Sequence, residues 1–300
     1  MLNKSFTLTL LNEPTFGYEQ FFRDGIMLVT SVLISALLAG LIAILVTLAI
    51  ERWGGLTGGL LGTMPSTIVP AAAGIYLAGG QALLNQSLAI VPLGMLINGL
   101  FLAVWVYLPP KLEDKNSPLL LTTVGALSVW FLFGMSMLIG VEFAIQKGMS
   151  TWQIGILGFT LLVGLAVAMN WKVQPTPKGK QPVARSVLFL RGSAAACAIG
   201  AAVWLSSQGQ PLIAGLAAVF PAIFLTSMVA LWLAQGPTVP RGAAGPMTMG
   251  GASVAIYALV AMYSLPAWGA VVGSIAAWCI AVFGWSLPTF LLLRRRIMPD

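Results

Sequence analysis

Continuous apolar runs, rather than alternating ones, set the character of this chain. Nine stretches, near residues 25–50, 54–78, 82–108, 118–145, 150–171, 187–207, 210–235, 242–264 and 267–292, are almost free of charge. A helix needs about 20 apolar residues to cross the hydrocarbon core of a bilayer, and each run is long enough. Strands of a membrane barrel would read as segments of about ten residues with alternating polarity. The pattern therefore predicts an all-α polytopic membrane protein with nine transmembrane helices.

The polar breaks divide these runs. Residues 1–24 form a tail without the basic start, short apolar core and small-residue site of a cleaved signal. It reads as a retained extracytoplasmic segment, with an interfacial helix as one form it can take. Residues 25–171 make a first membrane unit with a fifth, linking helix. Residues 172–185 contain Pro175, Pro177 and Pro182 with Lys172, Lys178, Lys180 and Arg185, the signature of a cytoplasmic linker. Residues 186–293 make a second unit, and 294–300 a basic cytoplasmic tail.

The two units resemble each other. A gapless shift of 156 residues lays Gly55–Pro110 on Pro211–Pro266, and 11 of the 56 pairs are identical. The matches fall on backbone punctuation: Gly59 with Gly215, Pro65 with Pro221, Gly80 with Gly236, Gly94 with Gly250 and Pro110 with Pro266. Five helices precede the second copy, so it would enter the membrane from the opposite side. Inverted repeats of this kind are a hallmark of secondary transporters, whose sites lie near the midplane between discontinuous helices.

The second helix of each copy is the broken one. The first carries Gly54, Gly55, Gly58, Gly59, Gly62, Pro65 and Pro70, and the second Gly215 and Pro221. Proline inside a helix removes a donor and crowds the carbonyl four residues earlier, and lipid tolerates the freed groups only beside protein or water. Around the breaks stand the hydroxyls of Thr63, Ser66 and Thr67 and of Thr226 and Ser227. These can bind a small polar solute or bond back to their own helices. Asn98, Ser253 and Tyr257 lie deep in apolar spans and either line the same cavity or bond across helices. The candidate substrate site is therefore Thr63, Pro65, Ser66, Thr67, Asn98, Pro221, Thr226, Ser227, Ser253 and Tyr257. Gly94 and Gly250 would let their helices approach the broken ones.

Composition narrows the chemistry. Hydrophobic residues are 58% and charged residues 8% of the chain, and the mean hydropathy is +0.94, values that fit a membrane interior. The formal charge of +7 gathers on one side: Arg52, Lys111, Lys115, Lys172, Lys178, Lys180, Arg185, Arg241, Arg294, Arg295 and Arg296 against Lys4, Arg23 and Lys147. Arg191 joins the basic side as a snorkelling residue. This positive-inside bias orients the N-terminus outside and the C-terminus in the cytoplasm of a cell inner (plasma) membrane protein, and it accounts for the basic groups without nucleic acid.

There is no histidine, and of the acids only Glu142 stands near a helix interior, which disfavours proton relay and tight binding of a multivalent metal. Two Met-x-Met pairs, Met135 with Met137 and Met247 with Met249, offer thioethers for Cu(I) but diverge around a helix. No metal or cofactor is expected, and no nucleophile with its base suggests an enzyme. Expected partners are membrane lipid and a small-molecule or ion substrate, with a homodimer open. Cys197 and Cys279 sit within apolar runs as small packing residues.

One resemblance joins this picture. Ala214, Gly215 and Leu216 running into Phe220 and Pro221, followed by a Gly-rich helix and Trp278, resemble the small four-helix inner-membrane proteins of the GlpM type over about the last 110 residues. The first copy departs from the motif, with Met64 in place of the Phe. The resemblance implies a four-helix unit that pairs with an inverted partner, here fused, and a link to exopolysaccharide production. The functional expectation is a secondary carrier or facilitator for a small neutral or anionic solute. The alternatives are a non-transporting scaffold or accessory subunit for envelope polysaccharide or lipid assembly, and a channel.

Overall fold

In the computed structural model, residues 15–53, 64–171 and 185–297 are described. Among them there is no strand. The helices are α1 (Thr15–Trp53), α2 (Ile68–Tyr107), α3 (Pro118–Gln146), α4 (Thr151–Met169), α5 (Arg185–Ser207), α6 (Pro211–Ala218), α7 (Ala222–Gln235), α8 (Thr238–Ala281) and α9 (Leu287–Ile297). A 3-10 turn, Pro109–Lys111, follows α2, and a π turn, Val282–Ser286, joins α8 to α9. Seven helical stretches are long and apolar enough to cross a membrane. Leu37, Ile139, Phe189 and Val271 are each about 70% exposed on their outer faces, as side chains facing lipid would be. The chain is an all-α, multi-pass membrane protein.

Seven such stretches stand against an expectation of nine, and two of them run on through a corner. The stretch Ile68–Lys111 is 44 residues long and Thr238–Arg295 is 58, each well beyond one crossing. Each contains a single non-helical glycine: Gly80 (φ 68°, ψ −166°) in α2 and Gly269 (φ 79°, ψ 168°) in α8. Gly236, between α7 and α8, has the same backbone (φ 83°, ψ 176°). Only glycine tolerates positive φ with extended ψ, so one residue makes a corner that leaves no polar loop behind.

At Gly269 the chain doubles back. The Ser264 hydroxyl donates to the Gly273 carbonyl at 2.8 Å, although nine residues of straight helix would separate them by about 13 Å. Further along, the Trp285 indole donates to the Met249 carbonyl at 2.8 Å. At Gly236 the same reversal brings Phe224 to 3.6 Å from a Cβ built on Gly251.

The long arm of α2, residues 81–107, is the central element, buried nearly all round. It packs antiparallel to α8: a Cβ on Gly251 would meet Met95 at 2.8 Å, and one on Gly99 would meet Thr248 at 3.0 Å. Helix α4 lies parallel to it, with Gly158 against the Leu93 amide and Gly99 against Leu165. Helices α1 and α5 cross antiparallel through small residues: Gly40 against Gly192 and Ala196, Gly200 against Ala36, and Gly192 against Ile44. Close backbone approach through small residues is how membrane helices gain packing energy without a hydrophobic drive. The pairs Gly40·Ala196 and Met95·Gly251 are each 156 positions apart.

Helix begins at Thr15, within the segment for which an interfacial helix is one expectation. The break expected between the runs 242–264 and 267–292 falls instead at Gly269, and Ser264–Pro266 is helix. The basic linker lies, apart from Arg185, outside the described residues.

Candidate functional site

Pro221 interrupts the α6–α7 span as its chemistry requires. Helix α6 ends at Ala218, Val219 and Phe220 close 3-10-like bonds to Leu216 and Ala217 at 3.2 and 3.1 Å, and α7 resumes at Ala222. The break frees the Val219 carbonyl, and Asn98 takes it: its Nδ2 donates to that oxygen at 2.8 Å and also approaches the Met95 sulfur at 3.5 Å. The Asn98 Oδ1 accepts from the Trp130 indole at 2.8 Å. Trp130 in turn stands edge-on to Phe220, with ring centres 5.2 Å apart.

Two glycines make this approach feasible. Gly94 faces the Val219 side chain, and Gly215 lies directly against the Ser87 carbonyl, so no Cβ fits at either point. Asn98 and Trp130 are both buried. The broken span is thus clamped by α2 and α3, and the Asn98 amide is occupied in holding it.

The residue that sequence reasoning misplaced is Arg191. It does not snorkel: it is only 5% exposed, about 9 Å inside the start of α5 by helical rise. Its Nε donates to Thr226 Oγ1 and its Nη2 to Ser227 Oγ, both at 3.1 Å. Arg191 also has at least one further interaction. The Thr226 hydroxyl donates back to the Ala222 carbonyl at 2.8 Å, with Ile223 at 3.1 Å. A guanidinium buried in a membrane span costs several kcal/mol, on the order of the desolvation penalty of a single ion, unless its donors are satisfied. Thr226 and Ser227 supply part of that satisfaction and carry no charge.

A signal for Arg191 was present. Arg191, Ala195, Ile199, Ala202 and Ser206 recur at helical spacing, and all are buried. Arg191 thus continues the inward face of α5, beside Gly192, which seats the helix on α1.

The remaining candidates separate from these. Pro65 is buried, and Ser66 and Thr67 are half-buried in the non-helical stretch that leads into α2. Thr67 occupies the N-cap position without a capping hydrogen bond from its side chain. Thr63 lies outside the described residues. Ser253 is fully buried and already engaged. Tyr257 does not join the Asn98 cluster: its hydroxyl neighbours that of Ser274, across the Gly269 reversal. Among the described residues neither hydroxyl finds a partner at hydrogen-bonding geometry. The structure therefore gathers Asn98 with the Pro221 break, and Thr226 and Ser227 with Arg191, and leaves Tyr257 in the α8 hairpin.

Among the described residues no cluster of three or more His, Cys, Asp or Glu side chains could hold a metal. Chemically the assembly offers a fixed cation, two hydroxyl acceptors and a helix break held in place by protein. No family model, curated protein or solved structure matches the chain.

Proposed function

We propose that this protein is a secondary carrier or facilitator that moves a small neutral or anionic solute across the inner membrane by alternating access. The site lies near the midplane between the two Pro-broken spans. The chain crosses nine times, in two inverted repeats, with the N-terminus outside and the C-terminus cytoplasmic.

The observation that carries this reading is the pairing of helices across the 156-residue interval. An inverted repeat about a twofold axis in the membrane plane requires equivalent helices to run antiparallel where they meet. It also requires residues on the axis to touch their own equivalents. Helices α1 and α5 meet in this way at Gly40 and Ala196, and the long arm of α2 meets α8 at Met95 and Gly251. A contact away from the axis must recur with the roles exchanged, and Ala36·Gly200 has that mate in Ile44·Gly192. The corners agree, since Gly80 and Gly236 are equivalents with the same backbone. A scaffold has no need of paired breaks at such an axis, whereas an alternating carrier uses them as its site.

Uptake into proteoliposomes of a radiolabelled panel of sugars, polyols, amino acids and carboxylates provides the test. Thr67→Val retains the amount of folded, monodisperse protein and lowers uptake of the active solute about tenfold, the equivalent of one lost hydrogen bond of roughly 1.4 kcal/mol; Thr226→Val, which also withdraws an acceptor from buried Arg191, lowers both the folded yield and the uptake per folded molecule. Unchanged uptake in both variants would remove the breaks from the pathway.

A further inference from the structure

We infer that Arg191, with Thr226 and Ser227, is the element that selects the solute, and that the solute carries an oxyanion, a carboxylate or a phosphate-type group. This assignment rests on the carrier reading and narrows it from neutral or anionic to anionic.

The first argument is cost. A buried ionic group is a weak source of stability, because apolar residues of similar volume serve as well or better. Arginine within a membrane span is rare and marks substrate and ion pathways. Arg191 sits on the inward face of α5 and reaches the span that Pro221 breaks, within two turns of the break.

The second argument is geometry. A guanidinium presents a planar fork of donors that matches the paired oxygens of a carboxylate or phosphate. Two of its nitrogens, Nε and Nη2, are now directed at Thr226 and Ser227. Both acceptors are hydroxyls, and that of Ser227 can turn from accepting to donating. An arriving oxyanion can take the guanidinium N–H bonds while the Ser227 hydroxyl rotates to donate to it. Thr226 keeps its one hydrogen on the Ala222 and Ile223 carbonyls, so it serves only as the acceptor that orients the guanidinium before the solute arrives. A neutral polyol gains no comparable charge-assisted bond.

The third argument is asymmetry. The positions equivalent to Arg191, Thr226 and Ser227 in the first copy are Ser35, Pro70 and Ala71. The two copies share their backbone punctuation, yet only one has this cation and its hydroxyl pair. A structural need imposed by the repeat would appear in both copies. A recognition element for one solute is needed once.

The test uses the full-length protein in detergent, with thermal unfolding followed in sodium acetate, succinate, phosphate and sulfate at matched ionic strength against sodium chloride, and in glycerol and glucose. A ligand that binds the folded state raises its apparent stability in a saturable way. The expected result is a saturable rise with at least one oxyanion and none with glycerol or glucose. Arg191→Gln abolishes that rise. Arg191→Lys, which keeps the charge and loses the fork, weakens apparent affinity about tenfold, and Ser227→Ala weakens it several-fold. Should Arg191→Gln not fold, the Arg191→Lys and Ser227→Ala pair decides the matter. Oxyanion stabilisation indifferent to these variants, silence of all four oxyanions, or stabilisation by neutral solutes alone would overturn the assignment. Uptake assays separate this from the carrier reading: a neutral solute carried equally by native and Arg191→Gln protein ends the anion assignment and leaves the carrier. Arg191-dependent oxyanion binding without any uptake contradicts the carrier and leaves the recognition site.

Discussion

An Asn98→Leu protein is expected to lose about 2–4 kcal/mol of stability, although leucine has the same number of side-chain heavy atoms and the same branching as asparagine. The substitution strands two buried polar groups at once, the Val219 carbonyl and the Trp130 indole N–H, which Asn98 now satisfies at 2.8 Å each. Each orphaned group costs about 1–3 kcal/mol in surroundings without water. The lower end of the range applies where an unfolded membrane chain finds substitute partners. Reversible unfolding in mixed micelles measures the loss. Because Asn98 and Trp130 share one hydrogen bond, Asn98→Leu combined with Trp130→Phe should cost less than the sum of the two. A loss under about 0.5 kcal/mol for Asn98→Leu, the size of an ordinary surface change, would mean that the break is not held by this amide.

Gly215→Leu should be the more damaging change. A Cβ at this position would run into the Ser87 carbonyl and stand 3.0 Å from the Ile90 side chain. A backbone carbonyl inside a packed helix cannot give way, so α6 must move off α2. That displacement would carry Val219 away from Asn98. Overpacking typically costs about 1–3 kcal/mol, and adding the lost Asn98 contact brings the expected loss to about 3 kcal/mol or more. The readout is the yield of monodisperse protein after extraction. Gly140→Leu, at a helix position with nothing within 4 Å of the added Cβ, should leave that yield unchanged. Equal yields for the two variants would contradict the packing described.

What was legible in the sequence was whatever the backbone imposes locally. Pro221 lacks a donor and stands at the break between α6 and α7, whereas Pro92, Pro246 and Pro266 stay within helices. Gly80 and Gly236 hold conformations closed to other residues and lie 156 positions apart. Span boundaries were less legible. The corner at Gly269 needs one residue, and the more conspicuous Ser264–Leu265–Pro266 stays helical because proline interrupts a membrane helix less than it would a helix in water.

What was not legible was tertiary. The partner of Asn98 lies 121 residues away, so its side chain read equally as cavity lining or as a cross-helix bond. Arg191 was assigned to the charged rim because it lies one turn beyond the Arg185 end of its helix. Its burial sets it against Thr226 and Ser227, partners 35 and 36 residues away on α7. The helical phase of Ala195, Ile199, Ala202 and Ser206 carried that information, and reading Arg191 in phase with them would have turned it inward.

The most direct test of the carrier account is the two-sided accessibility of the paired breaks. Ser66→Cys and Ala222→Cys lie 156 positions apart, matched under the proposed repeat, and each would be introduced singly into protein with Cys197 and Cys279 changed to serine. A membrane-impermeant maleimide is then applied to vesicles from one side or the other. The account predicts that each cysteine is labelled from both sides, and that oxyanion solute on one side alters the rate from the opposite side, because one site is exposed alternately. Labelling from a single side only, or from neither, would contradict alternating access at the breaks.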